Sequence, residues 1–315
     1  MKRRRVALAA IAVAAIAVSG FGANAAQAAS GARVALRRQA IHALITRNDA
    51  ESIAAAAALS FRQDTSPAAL ELAVNAAELA PQNPVIGWLH LRLCVDSPSC
   101  DFRDVATVLR WVDADNGASW LPLLSAAYKD RDSTEVDRII ADMAQTKRFD
   151  VYWNPLVVLL ADALSKARSD LPRGFAGSDA QRFDIASGIA DQLLPPFNAL
   201  LDSCRGAGTE RREACLKLSH IMQHGDAVAA QMAGFGIEKH LVVPDSKEGR
   251  ALIERRRLLE WRVSAAAQAD APLPWLKNAQ ARKQLVRMRA SPRQEDVDLA
   301  ILREHKLAAA TETRP

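Results

Sequence analysis

Three observations predict an all-α fold, built of helical hairpins and followed by a second α-helical region. About a fifth of the residues are alanine, β-branched runs are scarce, and almost every segment spaces its apolar residues as a helix face requires. With 315 residues, 50% of them hydrophobic, and only 14 Gly and 14 Pro, the chain can bury one or two cores. It has neither the composition of a fibrous protein nor that of a low-complexity one.

The chain opens on Met1-Lys-Arg-Arg-Arg5, continues with an apolar run from Val6 to Val18, and then offers Ala-Xaa-Ala at Ala23-Asn24-Ala25 and Ala26-Gln27-Ala28. This is the pattern of a signal peptide over residues 1–28, cleaved after Ala28, and it points to a periplasmic or secreted bacterial protein. The run is short for a membrane span, nothing later is longer, and no cysteine stands nearby to carry a lipid anchor.

Helices are then expected over 33–47 and 50–62. Ser66-Pro67, an N-cap followed by proline at the first helical position, opens 67–80, whose face carries Leu70, Ala73, Val74 and Ala77. Helices 84–95, 103–113 and 117–130 follow. Asp132-Ser-Thr-Glu135 resembles a capping box and starts 133–147, which places Val136, Ile139, Ile140, Met143 and Ala144 on one side. After 151–168 comes Asp170-Leu-Pro-Arg-Gly-Phe-Ala-Gly177, the one stretch with the composition of a connection, which divides a region 29–168 from a region 179–307. In the second region helices are expected over 179–194, 196–204, 209–223, 226–241, 246–270, 273–289 and 292–307. Pro195-Pro196 breaks the first two apart, and Ser291-Pro292-Arg-Gln294 opens the last. Residues 308–315 read as a disordered tail.

The four cysteines fall in two local pairs, Cys94 with Cys100 and Cys204 with Cys215. Three connectivities exist. The local one is favoured because each pair flanks a turn between helices, at Val95–Ser99 and Arg205–Thr209, and an exporting route is oxidising. Each bridge is expected to contribute roughly 2 to 3 kcal/mol by closing a short loop. There is no Cys-Xaa-Xaa-Cys, so the expected role is to staple turns.

Trp88, Trp120 and Trp153 recur at 32 and 33 residues, each opening a helical apolar pattern, and polar turns precede the first two. A period near 33 made of two helices is what stacked hairpins produce, since one hairpin cannot bury its own apolar faces. The stretch Ala77-Glu-Leu-Ala-Pro81-Gln-Asn83-Pro-Val-Ile-Gly-Trp88-Leu89, echoed by Val112-Asp-Ala-Asp-Asn116-Gly-Ala-Ser-Trp120-Leu121, resembles the helix junction of the tetratricopeptide (TPR) superfamily. The resemblance spans about residues 66–165. It departs from the family in a Pro81-to-Trp88 spacing one residue too long, in Ala114 where proline belongs, and in Arg92 and Leu124 at small-residue positions. It implies a superhelix with a concave binding side and no reaction, and it makes the three tryptophans repeat-core residues.

Residues that could carry chemistry are few. His220 and His224, four apart with Asp226 just beyond, share one helical face and could begin a zinc or copper site that Cys204 and Cys215 would complete. The wide cysteine spacing and the missing glutamate between the histidines favour ordinary helix-end residues and no metal. No nucleophile elbow, zincin motif or phosphate loop is present, so no catalytic residue and no cofactor is assigned. Asp184 and Asp191 share a face that a solvated helix explains. Gly234-Phe235-Gly236 inside a helical pattern reads as close helix packing, since glycine there costs about 1 kcal/mol relative to alanine.

The formal charge of +5 falls to +1 once Lys2, Arg3, Arg4 and Arg5 leave with the signal, which removes the charge argument for nucleic-acid binding. Charge is uneven, however: residues 250–293 hold a local +8. Arg255, Arg256, Arg262, Lys283 and Arg287 form a candidate basic surface for peripheral contact with an anionic envelope surface. The functional expectation is an exported, non-enzymatic helical-repeat protein of the bacterial cell envelope that holds a protein or peptide partner. Behind it stand a ligand- or metal-binding protein using the 220–240 segment and a helical enzyme without local motifs.

Overall fold

Helix α2 (Ala50–Ser60) lies at the centre of the molecule because its side chains are small on every side. Every residue from Ser52 to Ser60 is buried, including the run Ala54–Ala58. Asp49 starts the helix by accepting the Ser52 N–H at 2.9 Å. Around α2 pack α1 (Ser19–Thr46), α3 (Ser66–Leu79), α4 (Pro84–Val95) and α8 (Trp153–Lys166). The computed structural model describes residues 19–61, 66–271 and 277–307, and over them the protein is all-α.

The remaining elements follow in short steps: α5 (Phe102–Val112), a single 3₁₀ turn over Gly117–Trp120, α6 (Leu121–Lys129), α7 (Ser133–Met143), α9 (Asp179–Gln192), α10 (Asn198–Cys204), α11 (Thr209–Gln223), α12 (Val228–Leu241), α13 (Lys247–Ala269), α14 (Lys277–Ala290) and α15 (Gln294–Glu304). Asp132 caps α7 as expected, accepting the Glu135 N–H at 3.0 Å. Ser178 and Gln181 form a full capping box at α9. Pro195-Pro196 falls in the break between α9 and α10.

Some boundaries move, for physical reasons. The last helix begins at Gln294 rather than at Ser291-Pro292, because the Gln294 N–H donates to the Asp226 carbonyl at 2.7 Å while its side-chain oxygen accepts from the Val228 N–H at 2.6 Å. The starts of α12 and α15 therefore satisfy each other. Residues 1–18 of the expected signal, the tail 308–315 and the first residues of the expected 273–289 helix lie outside the described residues, whereas the backbone of 19–28 belongs to α1.

The stretch 170–177 does not separate two cores. One core combines Leu44, Ile53, Leu59, Ile86, Leu160 and Leu164 with Ile189, Leu285, Ile301 and Leu302. The other joins Trp88, Leu91, Leu124, Ile139, Ile140 and Phe149 to Leu200, Leu218, Met222 and Ile237. Both cross the expected boundary, since apolar faces of late helices complete the burial of early ones. A small third cluster of Phe235, Leu252 and Leu259 ties α13 to α12.

Both cysteine pairs are bonded locally, Cys94 to Cys100 and Cys204 to Cys215, and no described cysteine is free. Among the described residues no helix is long and apolar enough to cross a membrane.

Candidate functional site

An open, largely apolar cleft lies between α3, α4 and α5. It is built from the α3–α4 turn upward. Asn83 accepts the N–H groups of Val85 and Ile86 at 3.0 and 3.3 Å, which fixes the start of α4. Gly87 lets α5 approach: a β-carbon there would stand 3.2 Å from Leu109 Cδ1. The Cys94–Cys100 bridge closes the far end of the α4–α5 turn, and Asp101 starts α5 by accepting the Arg103 N–H at 2.9 Å.

In that register α5 turns Ala106 and Leu109 into the core, while Val105, Val108 and Val112 form a second apolar stripe. This stripe faces Val74 and Ala77 of α3 across a cleft of about 360 Å³. Val108 remains 59% exposed. Leu79, between the lining residues Glu78 and Ala80, is 51% exposed, and Trp111, next to the lining Val112, is 76% exposed. The charged residues lining the cleft are Glu78 and Asp104, both acidic. His90 lies at its wall; burial holds its imidazole below the usual range, with Glu78 opposing, and its buried Nε2 has no hydrogen-bond partner. The contiguous apolar lining with Val108 open to solvent is the kind of patch that marks an interaction surface.

The three tryptophans meet at the second core but in unlike positions. Trp88 is fully buried within α4, with its ring 6.1 Å from that of Tyr152. Trp120 ends the 3₁₀ turn, half-buried, with the Arg110 guanidinium 4.0 Å above its ring. Trp153 is the first residue of α8, also half-buried, and its indole N–H donates to Asp191 at 2.8 Å. Asp184, on the same helix as Asp191, is exposed.

The expected free basic face is not formed. Arg255 bonds the buried Glu238 at 2.8 Å, Arg256 bonds Glu260 at 2.8 Å, Arg262 bonds Glu295 at 2.5 Å and Lys283 lies 3.7 Å from Glu304. Arg287 is itself buried between Asp270 at 3.0 Å and Glu304 at 2.6 Å. Glu238, Glu295 and Glu304 lie outside residues 250–293, so the local charge excess omits the carboxylates that folding brings to it.

His220 and His224 are exposed at the rim of a mixed cleft of about 390 Å³, shared with Gln223, Arg255, Arg262 and Glu295 and with Phe235, Leu258 and Leu259. Cys204 and Cys215 are consumed in their disulfide and cannot act as thiolates. Among the described residues no three His, Cys, Asp or Glu side chains are arranged to hold a metal ion. Gly234 sits where α12 crosses α11: a β-carbon there would stand 2.7 Å from the Ser219 carbonyl oxygen. Close packing therefore accounts for it.

Sequence reasoning missed a buried polar network. Asn116 donates to Asp113, to the Asp150 carbonyl and to the Tyr152 hydroxyl at 3.1, 2.9 and 3.2 Å, and Arg148 bridges Asp113 and Asp150. Burial, and then the Asp113 carboxylate it donates to, pushes the Tyr152 phenol up. Tyr152 takes a left-handed conformation, φ 58°, which costs of order 1 to 3 kcal/mol in a bulky residue. The network locks the loop before α6 to the loop before α8; its groups are satisfied by one another rather than offered to a ligand.

Comparison with known proteins finds no family model, no curated protein and no solved structure that matches this chain.

Proposed function

We infer that the protein is an exported, non-enzymatic binding module of the bacterial cell envelope, whose α3–α5 face holds a protein or peptide segment. The two disulfides support an oxidising compartment, and the expected leader at residues 1–28 supports export. One observation carries the binding role: an apolar cleft lined by Val74, Ala77, Val105, Val112 and the largely exposed Val108. Its acidic lining residues, Glu78 and Asp104, favour a partner whose apolar side chains are accompanied by Lys or Arg. Consecutive packing of α2 on α3, α3 on α4, α4 on α5 and α6 on α7 supports reading this region as TPR-like hairpins.

The mixed cleft beside His220 and His224 gives the second reading, a small-ligand site. It is the weaker one because Arg255 and Arg262 are each already bound to a carboxylate.

Selection of displayed peptides on the immobilised protein tests the first reading. Peptides rich in apolar residues with a Lys or Arg are expected to be enriched, and to lose binding in Val108→Asp. Enrichment of peptides indifferent to Val108→Asp would overturn it.

A further inference from the structure

A third cleft, on the other side of Phe235 from the histidines, has a different chemistry. It lies between the end of α12, the Val242–Pro244 loop and the first turns of α13, with a volume of about 390 Å³, within the range of small-molecule sites. Ser246 starts α13 by accepting the Gly249 N–H at 3.0 Å. Gly249 is required there, since a β-carbon would stand 2.3 Å from the Val243 carbonyl oxygen. This close approach seats the helix on the loop and leaves the cleft open above it.

The floor is apolar: Phe235, Val242, Leu252 and Ile253 line it, and Ile253 is 43% exposed. The rim is cationic. Lys239, Arg256 and Arg257 line it against one carboxylate, Glu260. Arg256 is bonded to Glu260 and Arg257 to Glu254, whereas Lys239 has no carboxylate partner among the described residues. An apolar floor under an excess of positive charge fits a molecule with a hydrocarbon body and one anionic end. A cation would be repelled at the rim, and a bare anion would leave the floor wet.

We propose that the α12–α13 cleft binds a free single-chain anionic amphiphile of the fatty-acid class, with its tail over Phe235, Leu252 and Ile253 and its carboxylate at Lys239. This site is independent of the α3–α5 face.

Calorimetric titration of the disulfide-intact protein with dodecanoate tests it. Saturable binding is expected at low salt, at least about tenfold weaker for octanoate, because each lost methylene removes burial. Lys239→Glu reverses the charge at the unpaired rim position and is expected to weaken dodecanoate about tenfold. Ile253→Asp should abolish binding. Both positions are exposed, so circular dichroism should be unchanged in each. Three results would overturn the proposal: equal binding of dodecyltrimethylammonium, dodecanoate binding indifferent to both substitutions, or binding to phosphatidylglycerol vesicles with none to free dodecanoate, which would assign the cleft to a membrane surface.

Discussion

The carboxylate of Asp226 accepts the backbone N–H of Trp153, at 3.2 Å, and so caps the first turn of a helix more than seventy residues earlier in the chain. Its other oxygen accepts the Val151 N–H at 2.8 Å. Burial, with Asp150 nearby adding repulsion, raises this carboxyl to about 7 despite the backbone donors that oppose the shift. The folded state therefore holds a proton that the unfolded chain has released between about pH 4 and pH 7, and stability contributed here falls as pH rises through that window. Asp298 is raised to about 7 by burial and Glu295, and acts in the same direction. In Asp226→Asn the contribution vanishes and an amide N–H faces a backbone donor. Urea midpoints of wild type and variant should differ more at pH 5 than at pH 8. A difference independent of pH would show that Asp226 is ionised throughout.

The unequal burial of the tryptophans predicts unequal costs. Trp88→Ala is expected to destabilise by roughly 3 to 5 kcal/mol, as for other fully buried aromatics. Trp120→Ala should cost about 1 to 2 kcal/mol, since the ring is only half-buried and gives up part of its packing on the second core together with its contacts to Arg110 and Arg138. Equal costs in chemical denaturation would contradict these positions.

Arg287 and Lys283 share a helix but not a role. Arg287→Ala leaves the buried side chain of Asp270 with the Gln284 amide but no counter-charge, and is expected to cost roughly 3 to 5 kcal/mol. Lys283→Ala, at an exposed position 3.7 Å from Glu304, should change stability by less than about 1 kcal/mol. Thermal unfolding of the two variants separates the cases, and comparable losses would mean that the Gln284 amide alone satisfies Asp270.

Helix positions were legible in the sequence because periodicity and caps are local signals: Asp132 and Pro195-Pro196 act where they were expected to. What was not legible depends on residues far apart. The basic stretch reads as a free surface until Glu238, Glu295 and Glu304 arrive from other helices. Gln294 begins its helix late because its partner, Asp226, is remote. The α3–α5 cleft did leave a trace, since Val105, Val108 and Val112 repeat at helical spacing beside the core residues Ala106 and Leu109, more apolar surface than one face needs. Nothing local announces that Asp226 is buried or that Tyr152 is left-handed.

Replacing Cys204 and Cys215 together by Ser should lower stability by about 2 to 3 kcal/mol, because the bridge closes a short loop and both residues lie in the second core. Differential scanning calorimetry of this variant, beside one with Cys94 and Cys100 replaced, checks it. No fall in Tm for the Cys204/Cys215 variant would mean that core packing alone holds α10 to α11.

The alanine helix at the centre also dictates an order of assembly. As an isolated eleven-residue segment α2 would be marginal in water, and the run Ala54–Ala58 carries no side chain long enough to shield it. One of its walls, α8, is synthesised about a hundred residues later. Contacts that distant form late, because a long loop must close before they contribute. A nascent chain that stops short of residue 153 thus leaves a row of methyl groups facing solvent, and the beginning of this protein must wait for its middle before it can become native.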